Sequence, residues 1–166
     1  MKKLLRLLLL VCMILPMASL PVHADAPVGV QADFTYAPTG VCTEEFWAND
    51  NQFLLGCGDV GTWYAGDFLG SSEELYDIVF HGSEGGFVYE YGLYRGRVTF
   101  EGTVMGEAGT LEILFVGKSP GDIADWFGTW RILSGTGGLA NLRGHGIFYN
   151  NGFLDVHIEG FVHFAP

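Results

Sequence analysis

Positive charge is scarce in this chain: eight Lys and Arg stand against 19 Asp and Glu, a formal net charge of −11. Three of the eight, Lys2, Lys3 and Arg6, lie at the extreme N-terminus, so the remainder keeps five against 19, a formal −14. Such a surface repels phosphate backbones and anionic headgroups, so neither nucleic acid nor, after removal of a leader, a membrane is expected as a partner. Solubility is the plainest use of the acidity. Cysteine is nearly absent, with residues 12, 42 and 57 only; there is no C-x-x-C pair for thiol redox chemistry and no closely spaced ligand set for zinc. No amphipathic helical period runs longer than a turn or two, and no linker, repeat or low-complexity tract divides the chain. The histidines have no identifiable nucleophile partner, which leaves a serine hydrolase little support. No cofactor or metal is expected.

What is present begins with a leader. The basic start is followed by the apolar run Leu4 to Leu15, then by Ser19-Leu20-Pro21-Val22-His23-Ala24, a short end closed by a small residue. Pro16 and Pro21 interrupt the run before the roughly 20 residues that a membrane span needs. The pattern predicts a signal peptide over 1–24, cleaved after Ala24, because cleavage after Ala26 would leave Pro27 first. Cys12 lies mid-run behind Val11, a poor context for lipid attachment. Export to a secreted or periplasmic location follows, with 142 residues left (166 minus 24), enough for one domain over 25–166. An even pair, Cys42 and Cys57, in an exported chain predicts a structural disulfide.

Period-two patterning dominates the rest. Val98, Phe100, Gly102 and Val104 alternate with Arg97, Thr99, Glu101 and Thr103, and a β-favouring run follows over 110–117 after the turn at 106–109. Residues 144–149 and 153–164 flank Asn150-Asn151-Gly152, a strong hairpin signal. A third hairpin is expected from 75–81 and 87–94 about the turn at 83–86, with further strands at 62–69 and 130–134 and a weaker one at 33–36. Eight or nine antiparallel strands make a closed barrel or a sandwich. Residues 37–50 are expected to be irregular, pinned by the cysteines.

Several motifs invite chemistry. Gly135-Thr136-Gly137-Gly138 has the look of a phosphate cradle but lacks a long helix after it, so a tight turn at a barrel end is the simpler expectation. Gly117-Lys118-Ser119 imitates the end of a Walker A loop, yet Glu112 occupies the earlier glycine position and Pro120-Gly121 forbids the helix. In the last strand Asp155, His157, Glu159 and His163 share one face and Leu154, Val156, Ile158, Val162 and Phe164 the other. Turned inward, the polar face could bind a metal or offer acid–base groups, with His157, Glu159 and His163 as catalytic candidates; turned outward, the simpler expectation, it meets water. His157-Ile158-Glu159 lacks the P-C-x-x-C of a zinc deaminase. His145, between glycines, is expected at the surface. Phe87, Tyr89, Tyr91 and Leu93 form one strand face, with Trp63, Trp126, Phe127 and Trp130 elsewhere; Tyr89, Tyr91 and Trp130 are candidates to line a site for a small apolar ligand, and core packing explains them equally.

The segment Trp130 to Gly146 also carries a resemblance. A strand ending in Ser134-Gly135-Thr136-Gly137 with Leu139, then Leu139-Ala140-Asn141-Leu142-Arg143-Gly144, then a glycine-flanked strand, resembles the signature of small bacterial barrels related to allene oxide cyclase and the plant dirigent proteins. The upstream hairpin, Arg97 to Val104 and Gly109 to Ile113, is similar to the one those barrels place before it, and the match spans residues 60–164. The resemblance implies a single eight-stranded antiparallel β-barrel, whose named relatives guide cyclisation and coupling of apolar intermediates. No cyclase or dirigent active site maps onto this chain residue by residue. An exported barrel that binds or shields a small apolar molecule, or acts as an interaction module, is the leading expectation. An isomerase or cyclase working in the lumen is the alternative, and homo-oligomers are compatible with both.

Overall fold

The computed structural model describes residues 26–47, 52–82, 88–122 and 124–166, with only the backbone course given at 41, 44–47 and 52–55. The expected leader over 1–24, the turn at 83–86, and Phe87 lie outside the described residues. The chain winds through eight antiparallel strands: β1 (Val28–Trp47), β2 (Gln52–Gly66), β3 (Phe68–His81), β4 (Tyr91–Val104), β5 (Glu107–Ser119), β6 (Phe127–Gly135), β7 (Leu142–Asn150) and β8 (Asp155–Phe164). Each pairs with its sequence neighbours, and β1 pairs with β8 from Val28↔Val162 to Thr35↔Asp155, so the sheet closes into a barrel. A 3₁₀ turn, Gly137–Leu139, covers one end and buries Leu139 completely. That is the structural use of the glycine-rich segment before it, rather than an anion cradle.

Alternation sets the inside. β4 buries Val98, Phe100 and Val104 and exposes Arg95, Arg97, Thr99 and Glu101 between them, as a strand half in water must. At the end covered by the 3₁₀ turn, Trp63, Phe68, Phe100 and Trp130 interlock with ring centroids 5.4 to 6.1 Å apart. Trp130 fits because Gly146 and Gly160 face each other across β7 and β8: a Cβ at Gly160 would stand 2.8 Å from Trp130 Cζ2 and against the His145 carbonyl oxygen.

Four expectations need correction. Residues 37–47 are not irregular: β1 runs through them to Trp47, and a register shift between Pro38 and Cys42 absorbs Pro38 and Gly40 as a bulge. Residues 62–69 are two strands joined at Asp67. The β4–β5 turn is Met105-Gly106, both with positive φ, and Gly109 lies within β5 opposite Gly102. Residues 88–90 are not strand, so Tyr89 shares no strand face with Tyr91 and Leu93. Cys42 and Cys57 stand opposite each other in the β1–β2 ladder and form the disulfide.

Candidate functional site in the open end of the lumen

At the end opposite the 3₁₀ turn the core gives way to a cavity of ≈ 210 Å³. Phe34, Ile78, Phe115, Trp126, Phe148 and Val156 wall it, with Pro38, Phe153 and Leu154 toward the mouth. The walls are held by ring contacts: Phe34 to Phe115 at 6.1 Å, Phe115 to Phe148 at 5.3 Å and Tyr94 to Trp126 at 5.9 Å. Trp126 comes so close to β4 that only glycine fits at residue 92, where a Cβ would lie 2.6 Å from its Cη2.

One side of this apolar cavity is polar. Asp59 of β2, Glu74 and Tyr76 of β3, Tyr94 of β4, Tyr36 of β1 and Asn150 of β7 all line it. The register explains the grouping, since Asp59 pairs with Glu74, and Gly96 pairs with Tyr76. Gly96 matters locally: a Cβ there would occupy the place of Glu74 Oε1 and the Tyr94 hydroxyl. Tyr94 donates a short hydrogen bond to Glu74, and Tyr76 donates to Asp59 Oδ1 at 3.4 Å. Asn150 Nδ2 is buried beside the Tyr36 hydroxyl. Tyr36, Glu74, Tyr76, Tyr94 and Asn150 are only half-buried although they point inward, as groups facing a cavity should be.

The electrostatics follow from desolvation. Burial pushes the Glu74 carboxyl up to about 7, with the nearby Asp59 adding to the rise and the Tyr94 hydrogen bond opposing it. Asp59 is raised for the same first reason, against the Tyr76 hydrogen bond. The Tyr76 and Tyr94 hydroxyls are raised by burial and then by the two carboxyls, and Tyr36 by burial against a smaller opposing influence of Asn150. At neutral pH the cavity therefore holds phenols that stay protonated beside a carboxyl poised between its two forms.

The residues singled out from the sequence lie elsewhere. His157, Glu159 and His163 belong to the outward face of β8, whose inward face is Val156, Ile158 and Val162. His157 Nδ1 meets Asp33 Oδ1 at 2.6 Å beside the Tyr149 ring, and Glu159 borders a shallow outer hollow with His145 and Asp67. Trp130 is packed into the closed end, donating from Nε1 to the Glu159 carbonyl at 3.2 Å. Tyr91 stacks on His81 outside, and Tyr89 packs on Phe80 and shares a 2.9 Å hydrogen bond with Ser119. Gly117-Lys118-Ser119-Pro120-Gly121 has the G-x-S-x-G spacing of a hydrolase nucleophile elbow, yet Ser119 ends a strand, is buried, and donates to the Asp122 carbonyl rather than standing exposed before a helix. Among the described residues no three His, Cys, Asp or Glu are grouped to hold a metal.

Sequence reasoning passed over Asp59, Glu74, Tyr36, Tyr76, Tyr94 and Asn150. Their one signal was parity: Glu74 and Tyr76 fall in step with Ile78 and Phe80, and Asp59 with Trp63, on the faces that become core.

No family model matches the chain, and no curated protein matches it. Among solved structures it is similar to a protein of unknown function from the DUF3224 family of Shewanella oneidensis MR-1, at 17% identity and a TM-score of 0.63, over 85% of this chain and 99% of that one. That likeness is one of fold.

Proposed function

We propose that this protein is an exported barrel that binds or shields one small, largely apolar molecule in the open end of its lumen. The observation that carries the reading is the ≈ 210 Å³ cavity, walled by Phe34, Ile78, Phe115, Trp126, Phe148 and Val156 with its few polar groups gathered on one side. Binding sites for small molecules have this composition, and an apolar cavity of about 150 Å³ already takes benzene. Export is supported by the leader pattern of 1–24 and by the Cys42–Cys57 disulfide. Kinship with the allene oxide cyclase and dirigent barrels is supported by the Trp130 to Gly146 pattern and by the closed eight-stranded sheet. Homo-oligomerisation is supported by Phe127, Tyr149 and Phe161, exposed on neighbouring strands.

Native mass spectrometry of the protein from its own exported fraction tests all of this. The expected species has lost residues 1–24, retains one disulfide and carries a non-covalent small molecule, and its mass gives the number of copies. A chain still bearing 1–24 would sink export. An empty barrel whose Trp126 fluorescence ignores small apolar probes would sink binding.

A second reading has its own observation. Glu74, titrating near 7 inside the cavity and hydrogen-bonded by Tyr94, is poised for general acid–base work on a bound intermediate, as an isomerase requires. If so, the retained compound exchanges a carbon-bound hydrogen with D₂O on the wild-type protein and not on Glu74→Gln. No exchange on either protein ends this reading.

A further inference from the structure

We propose that the molecule received in the lumen is a small aromatic or alicyclic amine, held as its ammonium between the Asp59 and Glu74 carboxyls and the rings of Tyr76, Tyr94 and Trp126. The inference rests on the reading of the lumen as a binding cavity and names the chemistry of its occupant.

The first argument is a missing counter-ion. Beyond residue 24 the cationic side chains are Arg95, Arg97, Lys118, Arg131, Arg143, His81, His145, His157 and His163, and none lines the cavity. Arg95, Arg97, Lys118 and Arg131 are exposed, and Arg143 is turned to the Ala140 and Leu142 carbonyls. The internal segments outside the described residues, 48–51, 83–87 and 123, contain no Lys, Arg or His. Among the described residues no cation lines the cavity between these two interior carboxyls, and Arg95 and Arg97 border Asp59 and Glu74 only from an outer hollow. Buried carboxyls without a partner charge are costly, and among the described residues each of these two has a single hydrogen-bond donor, Tyr94 for Glu74 and Tyr76 for Asp59. A carboxylate offers about four acceptor positions, so most of theirs are open to a ligand ammonium with its three donors.

The second argument is the surrounding rings. Tyr76 and Tyr94 lie 5.7 Å apart and Tyr94 and Trp126 5.9 Å. Aromatic faces beside carboxyls attract an organic cation through the ring quadrupole, most strongly when water is excluded. Phe34, Phe115, Phe148 and Val156 then take the hydrocarbon part, and the volume suits one ring with a short tail. An anionic ligand would meet two like charges. The Glu74 carboxyl, poised near 7, responds to such a guest: an ammonium beside it lowers its pKa, so binding at pH 7 expels about half a proton.

The test compares 2-phenylethylamine with 2-phenylethanol, which match in shape and differ in charge, by calorimetry and Trp126 fluorescence on the intact protein. At pH 8 the amine is expected to bind about tenfold or more tightly than the alcohol. The preference is expected to shrink at pH 5, where the Glu74 carboxyl is protonated, and to fall toward parity in Glu74→Gln/Asp59→Asn. Where that variant does not fold, the pH comparison on the unmutated protein makes the same measurement. Alcohol binding as tight as amine binding at pH 8 overturns the amine while leaving the cavity reading intact. Undiminished amine binding by Val156→Phe, which fills the cavity, moves the site outside the lumen and overturns it. Failure of both compounds to bind overturns the amine and the cavity reading together.

Discussion

Glu74 makes the barrel less stable as pH rises. Its carboxyl titrates near 4.5 when unfolded and about 7 when folded, so its contribution is intact below pH 4.5 and is lost as pH climbs through 7, a change of roughly 3 kcal/mol across that window. Glu74→Gln removes the ionisation and keeps an oxygen for the Tyr94 hydroxyl. Denaturant melts should therefore show the variant more stable than the parent at pH 8 and level with it at pH 4; an equal effect at both pH values would exclude this linkage. Tyr94→Phe removes the hydrogen bond that holds the Glu74 pKa down, and a ¹³C titration of the carboxyl should move upward. A downward move would show that Tyr94 is not its donor. Neither carboxyl was legible as a lumen group in the sequence, because in a half-exposed strand an acidic residue is read as outward-facing. The opposite faces of β8 were visible from spacing, but spacing is symmetric: only closure of the barrel decides that His157 and Glu159 face out.

At the scale of single strands, close approach decides what is tolerated. Gly96→Ala puts a methyl where Glu74 and the Tyr94 hydroxyl meet; overpacking of this kind costs roughly 1 to 3 kcal/mol, and a chemical melt should show it together with a displaced Glu74 titration. Gly160→Ala acts at the other end, against backbone and Trp130, and should be harsher because a carbonyl cannot swing aside as a carboxyl can. The Cys42–Cys57 bridge spans 15 residues, and a loop of that size is worth about 3 kcal/mol in the chain-entropy model. Cys42→Ser/Cys57→Ser should lose stability of that order in melts without reductant, and no loss would make the bridge incidental. Hairpins with clean alternation were readable, so that β5, β7 and β8 fall near their expected places, but β4 runs through 91–104 and joins the expected strands 87–94 and 97–104 into one. β1 was not, because Pro38 and Gly40 signal a break, and only pairing with β2, pinned by the Cys42–Cys57 bridge, carries the strand past them after β8 leaves it at Thr35.

In the whole molecule every strand has two neighbours and the sheet closes, with β1 beyond Thr35 left paired to β2 alone. Closure depends on β1, which pairs with the adjacent β2 and with the last strand, β8. Such long-range pairing slows folding, and stopped-flow refolding of the oxidised protein should fall in the range of milliseconds to seconds. Deleting residues 26–35 removes the β1 partner of β8 and should abolish the cooperative melt; a truncated chain that still melted cooperatively would show that the seam is dispensable. Recurrent turn signals and period-two runs predicted eight or nine strands in a barrel or a sandwich and the resemblance implied the eight-stranded barrel, whereas an open lumen at one end depends on which large side chains meet and was invisible in one dimension. The seam has a further consequence for biosynthesis. The first strand to emerge must wait for the last before its outer edge is covered, so a nascent chain carries two adhesive edges until synthesis ends, and the interval before they meet is when neighbouring copies are most able to tangle.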